Sequence, residues 1–491
     1  MPDRPVRHAL ARVLLPWSLS MAAALANAQP QAQTVVSLPP AVAQALERAQ
    51  LPADALSVYI AEAGASTPRL LHREQVPVNP ASLMKLYTTG AGLEILGPAY
   101  TWTTSVLTDG RVQNKVLRGD LIIQGRGDPG LVLERVWLML RQVQQRGIQE
   151  IRGDIVLDRS AFEVPEGDPG EFDGEPSRPY NVQPDALMLN YKALTLGFVP
   201  DPARRVARIT SDARLAGVRL PERVPLSGAA CGDWRGALKA DLSNPAQIRF
   251  GGHYPAACGE QAWPIAYAQP ASYNARLIGS MWRELGGRLS GHVRDGVTPP
   301  EADRLLEFAS QPLAAVVRDI NKFSNNMMAQ QLFFTLGLPP PAGGRQAAAT
   351  MESAREQLTA YARRRSGCTE PELVIDNGSG LSRNSRSSVR CMAALLQSLW
   401  SSPVMPEFVS SLPITGVDGT ARRSNRQWGT ALGRAHLKTG SLRDVAGIAG
   451  YVDGASGRRY VLVAIVNHAG AQAARPVLDA LVQWTAEDTP R

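Results

Sequence analysis

Ser82 and Lys85, in the stretch VNPASLMKLYTT (78–89), stand three residues apart, and nowhere else does a Ser precede a Lys by that spacing. A serine hydroxyl is a poor nucleophile until a neighbouring base removes its proton. On a helix, residues three apart share a face, and a first turn carries free backbone N–H groups that favour developing negative charge. Lysine serves as the base only if its pKa falls by roughly three units from about 10.4, some 4 kcal/mol of environmental bias from burial and a nearby cation. Arginine cannot serve, because it stays protonated at any accessible pH. The chain leans heavily towards arginine: of 52 Lys and Arg, only six are Lys. A surviving Lys therefore marks a position that wants a cation able to lose its proton.

Two more groups join this pair in order. Ser324-Asn325-Asn326 lies in KFSNNMMA and Lys438-Thr439-Gly440 in AHLKTGSL. The trio S-x-x-K, S-x-N, K-T-G resembles the signature of penicillin-binding proteins and serine β-lactamases. The gap from Ser82 to Ser324 is far longer than a β-lactamase needs. It is similar to that of the D-alanyl-D-alanine carboxypeptidase/endopeptidase family, the class C low-molecular-mass penicillin-binding proteins. GRGDPGL (125–131), DNGSGLSR (376–383), PITGVDGT (413–420) and KTGSLRDVAGIAGYV (438–452) resemble the same family.

The resemblance implies roles. Ser82 is the nucleophile that forms an acyl-enzyme with a D-Ala-D-Ala stem peptide of peptidoglycan, Lys85 the general base, and Ser324 a proton relay to the leaving amine. Asn326 holds the substrate amide and Lys85, while Lys438 and Thr439 meet the substrate carboxylate. Gly440 lets the substrate backbone approach, and the N–H groups of Ser82 and Ser441 form an oxyanion hole. The turn at Asp376, Gly378 and Gly380 is read as structural, as are Asp128 and Asp418. No E-x-x-L-N stretch supplies a deacylating Glu, so β-lactam antibiotics are expected as covalent inhibitors. A serine β-lactamase or esterase on the same fold is the alternative, and a catalytically silent wall-binding protein a third reading.

These residues need elements to hold them. LSVYIA and RLLHRE read as a hairpin, Asn79-Pro80 opens a helix that carries Ser82, VAGIAGYV and RYVLVAIVN form a second hairpin, and residues 473–485 a last helix. Between about 102 and 300, short β-like runs such as GDLIIQG and GDIVLD alternate with Gly, Pro and Asp clusters. The expected fold is α/β. A split transpeptidase-like domain (29–101 and 301–491) carries a mostly β insertion (102–300) with a second module near 177–272.

The N-terminus addresses the chain for export. Arg4, Arg7 and Arg12 precede an apolar run from Val13 to Leu25, and Ala26-Asn27-Ala28 offers small residues for cleavage, so residues 1–28 read as a signal peptide and the destination as the periplasm. Without that segment the formal net charge falls from +8 to +6, and no dense basic run suggests nucleic acid. No later apolar stretch is long enough to span a bilayer, so membrane association is loose at most. Export also frames Cys231, Cys258, Cys368 and Cys391 as disulfide candidates. Three pairings are open, and 231–258 with 368–391 closes the shortest loops. No C-x-x-C or H-E-x-x-H occurs, so neither metal nor cofactor is expected.

Overall fold

The computed structural model describes residues 37–65, 67–340, 347–422 and 428–488, so the expected leader at 1–28 lies outside the described residues. Strands from both ends of the chain form one antiparallel sheet. In chain order they are β1 (Leu56–Glu62), β2 (Pro68–His72), β3 (Ala435–Leu442), β4 (Val445–Asp453) and β5 (Arg459–Asn467). They pair as β2-β1-β5-β4-β3, which leaves β3 at an edge. Strand β5 explains its own composition. Val461, Val463 and Ile465 enter one core with Leu83, Tyr87 and Phe333, whereas Leu462, Ala464 and Val466 enter another with Val42, Leu46 and Leu478. Successive side chains of a strand face opposite ways, so a sheet covered on both sides needs apolar residues throughout.

The first core lies against helices α1 (Lys85–Ile95), α2 (Leu313–Phe323) and α3 (Asn326–Leu336). The second lies against Pro40–Arg48 and α4 (Arg475–Ala486). Burying each aliphatic side chain stabilises by about 1.5–3 kcal/mol, so both faces hold the distant chain ends in one sheet.

A β-rich insertion with its own core separates the two halves. One of its sheets joins Thr103–Thr108, Leu121–Gln124, Ile155–Asp158, Val293–Gly296 and Asp303–Ala309. Another contains Ala193–Asp201, Val206–Ser211, Arg223–Ser227 and Gln261–Ala266. Ile123, Leu157, Phe198 and Trp282 meet in the shared core. The sequence reading passed over two helices here, Leu133–Gln145 and Pro270–Glu284. Their buried residues recur at helical spacing (Val136, Met139, Leu140, Val143; Tyr273, Leu277, Ile278, Met281), a signal masked by the turn-rich flanks. The fold is therefore α/β, a split sheet-and-helix unit carrying a β-rich insertion. Cys231 bonds Cys258 and Cys368 bonds Cys391. Among the described residues no helix is long and apolar enough to cross a membrane.

Candidate active site

The turn that presents Ser82 is built from its neighbours. Asn79 Oδ1 accepts the Ala81 N–H at 2.9 Å, and Ala81 adopts a left-handed φ of 48°. The chain then makes a 3₁₀ turn, Ala81–Met84, that runs into α1 at Lys85. The expected α-helical start is thus replaced by a tighter one. At three residues per turn, positions i and i+3 eclipse, and Lys85 Nζ lies 3.0 Å from Ser82 Oγ.

The other partners of Lys85 define its protonation. Nζ donates to Asn326 Oδ1 and to the Ser379 carbonyl, each at 2.6 Å. The Asn326 amide is oriented by its Nδ2, which donates to the Tyr180 carbonyl at 3.4 Å. A carbonyl oxygen only accepts, whereas the Ser82 hydroxyl can also donate. A neutral amine, with two N–H bonds and one lone pair, matches this set of three. Lys85 is fully buried. Burial, and next the nearby Lys438, push its pKa well below the ordinary lysine value. Lys438 is also fully buried, and donates to Ser324 Oγ at 2.8 Å and to the Thr439 carbonyl at 2.6 Å. Burial pushes it down to about 7.

The second group sits where two helices meet. Ser324 ends α2 in the left-handed region, with φ 57°, and Asn325 caps α3 by accepting the Met328 N–H at 3.1 Å. Asn325 therefore serves its helix while Ser324 and Asn326 reach Lys438 and Lys85. A non-glycine residue held in this region is strained, a condition that gathers at functional sites. On β3, a Cβ at Gly440 would lie 3.0 Å from the Pro80 carbonyl oxygen and 3.1 Å from Leu83 Cγ. A side chain there would crowd the turn that carries Ser82, before any substrate is considered. Ser82, Ser324, Asn326 and Ser441 line one cleft of about 650 Å³ with Tyr180 and Arg383.

Three contributors escaped the sequence reading. The turn at 377–381, read from the sequence as structural only, also supplies the Ser379 carbonyl to Lys85, and Asn377 shapes it. Asn377 Oδ1 accepts from the Ser379 N–H, the Ser379 hydroxyl and the Gly380 N–H at 3.0, 2.8 and 3.0 Å, while its Nδ2 donates to the Leu381 carbonyl at 3.0 Å. Gly380 has φ 75°, and a Cβ there would fall 1.9 Å from the Ala81 carbonyl oxygen. Tyr180 arrives from the insertion. Thr420, in PITGVDGT, lies 2.8 Å from Thr439, hydroxyl to hydroxyl. Only the Asn-Gly-Ser-Gly composition hinted at the first of these. Asp418 pairs with buried Lys322 at 2.6 Å, and Asp128 accepts the Gly130 N–H at 2.7 Å; both act on structure.

A hydroxyl, a buried amine whose pKa is lowered, a second hydroxyl and an edge strand are the parts of acyl transfer to serine. The sequence profile of the D-Ala-D-Ala carboxypeptidase 3 (S13) family matches residues 38–488. The chain belongs to this family. It is similar to the D-alanyl-D-alanine carboxypeptidase of Actinomadura, 28% identical over 430 residues that cover 83% of this chain and 77% of that protein. The fold is similar to penicillin binding protein 4 from Haemophilus influenzae, with a TM-score of 0.73 and 22% identity over 90% of this chain and 98% of that one. In complex with a β-lactam, that protein gives a TM-score of 0.69 at the same identity and coverage.

Proposed function

We propose that the chain is a serine-type D-Ala-D-Ala carboxypeptidase, with endopeptidase activity on cross-linked stem peptides, that works in the periplasm on peptidoglycan and is inhibited by penicillins. One observation carries the mechanism: among the described residues, the Lys85 amine has two acceptors and one hydroxyl around it and no carboxylate. Lys85 takes the Ser82 proton as Oγ attacks the carbonyl carbon, and the N–H groups of Ser82 and Ser441 stabilise the oxyanion. The C–N bond breaks as Ser324 passes its hydroxyl proton to the leaving amine and is reprotonated from the lysine pair. Water then hydrolyses the acyl-enzyme with Lys85 again as base.

Among the described residues Asp173 is the one carboxylate-bearing side chain lining the cleft, and it is engaged by Tyr180 Oη and Asn181 Nδ2, each at 2.8 Å. This supports slow deacylation and so inhibition by penicillin over turnover. The same proposal takes 29–101 and 301–491 as the catalytic domain, 102–300 as its insertion, and 1–28 as a cleaved leader. The test is mass spectrometry of purified muropeptides incubated with wild type and Ser82→Ala. Loss of terminal D-alanine and of cross-linked dimers with wild type alone is expected, and identical digestion by both proteins would overturn the proposal.

A further inference from the structure

Strand β3 has two faces, and the mechanism above uses one of them. Lys438 and Gly440 face Ser324 and Leu83, so the alternation of a strand turns Thr439 and Ser441 the other way. There a hollow of about 70 Å³ is lined by Thr420, Thr439, Ser441, Gln472 and Arg475. It holds roughly two waters' share of liquid volume at about 30 Å³ each, which suits a carboxylate. Ser441 lines both this hollow and the main cleft, so the two adjoin.

Arg475, the first residue of α4, is half-buried, and among the described residues its guanidinium has no hydrogen bond or ion pair. Guanidinium recognises carboxylate through two parallel N–H donors. Lys438 is poorly placed for that task, because it is sealed from solvent and donates to Ser324 and to the Thr439 carbonyl. Direction along the strand separates the remaining cations. Ser82 and Ser441 mark the acylated carbonyl, and Lys438 with Ser324 marks the side of the leaving amine, so Thr439 lies towards the leaving group and Arg443 towards the acyl chain. Arg383 is engaged by Asp444 at 3.1 Å and by the Phe172 ring at 4.6 Å.

We propose that Arg475, with the hydroxyls of Thr420 and Thr439, binds the carboxylate next to the leaving amine and so selects peptides whose leaving residue carries a free carboxylate there. This rests on the acyl-transfer reading of the cleft.

The test compares kcat/KM for a synthetic acyl-D-Ala-D-Ala peptide as the free acid and as the C-terminal carboxamide. A charged hydrogen bond supports a preference for the acid of about 10–100-fold in wild type. Arg475→Gln should lower the acid-to-amide ratio at least about tenfold. Arg475→Lys, which keeps charge and bulk but not the fork, should lower it about threefold or more. Arg443→Gln should keep the wild-type ratio. Thermal unfolding confirms that each variant is folded, and the Lys variant carries the test if the Gln variant is not. An unchanged ratio in a folded Arg475 variant, a collapsed ratio in Arg443→Gln, or a wild type indifferent to the carboxylate would each overturn the proposal. Should wild type cleave neither peptide and resist labelling by penicillin, the acyl-transfer reading itself falls, and this one with it.

Discussion

Four of the six lysines are buried: Lys85, Lys192, Lys322 and Lys438. Two have carboxylate partners, Lys192 with Asp185 at 2.5 Å and Lys322 with Asp418 at 2.6 Å. Among the described residues Lys85 and Lys438 have none, and burial without a counter-charge lowers the pKa of both. The scarcity of Lys was legible in the sequence. Which lysines are structural and which chemical was not, because the partners that decide it lie up to about a hundred residues away or more.

Two predictions belong to this scale. Lys85→Arg keeps a cation that cannot serve as base, and the rate of acylation by penicillin should fall by about 10²–10⁴-fold in a folded variant; a near wild-type rate would remove Lys85 from the chemistry. Lys438 binds its proton up to 10.5 in the unfolded chain but only to about 7 when folded. Between those values the unfolded state binds more protons, so the stability this group contributes is present above the window and is lost as pH falls through it. The rise in Tm between about pH 7 and pH 9.5 should therefore shrink in Lys438→Met, and equal slopes would contradict the assignment.

At the scale of elements, the strands were readable and the turns were not. An apolar run as continuous as RYVLVAIVN admits few alternatives once a two-sided core is assumed, whereas the role of the turn at 377–381 depends on which carbonyl meets Lys85. Asn377 makes four hydrogen bonds within that turn. Asn377→Ala frees the Ser379 carbonyl to swing away. Acylation should slow by about tenfold or more, since leaving such groups unsatisfied costs about 1–3 kcal/mol. Asn377→Asp keeps the acceptor oxygen and should recover part of the rate. Stopped-flow acylation of the two variants checks this, and equal rates in wild type and Asn377→Ala would rule the turn out as a positioning device.

Across the whole molecule, the insertion is tied to the sheet-and-helix half at defined points. Tyr180 orients Asn326, and the buried Gln331 of α3 donates to the carbonyls of Gly127 at 3.2 Å and Asp185 at 2.8 Å. The Cys231–Cys258 bond joins exposed Cys231 to Cys258, which packs in the core of the insertion. Replacing both of its cysteines by Ser should lower stability by about 3 kcal/mol for a loop of this length, while penicillin acylation stays within about twofold. Loss of acylation in the folded double variant would mean that the far end of the insertion reaches the cleft.

The central claim is that an uncharged Lys85 removes the Ser82 proton near neutral pH. The pH dependence of the second-order acylation rate constant with a labelled penicillin tests it directly. The expected profile rises through an apparent pKa well below 10.5, the ordinary lysine value. A rate that keeps climbing to about pH 10, as for an ordinary lysine, would contradict it.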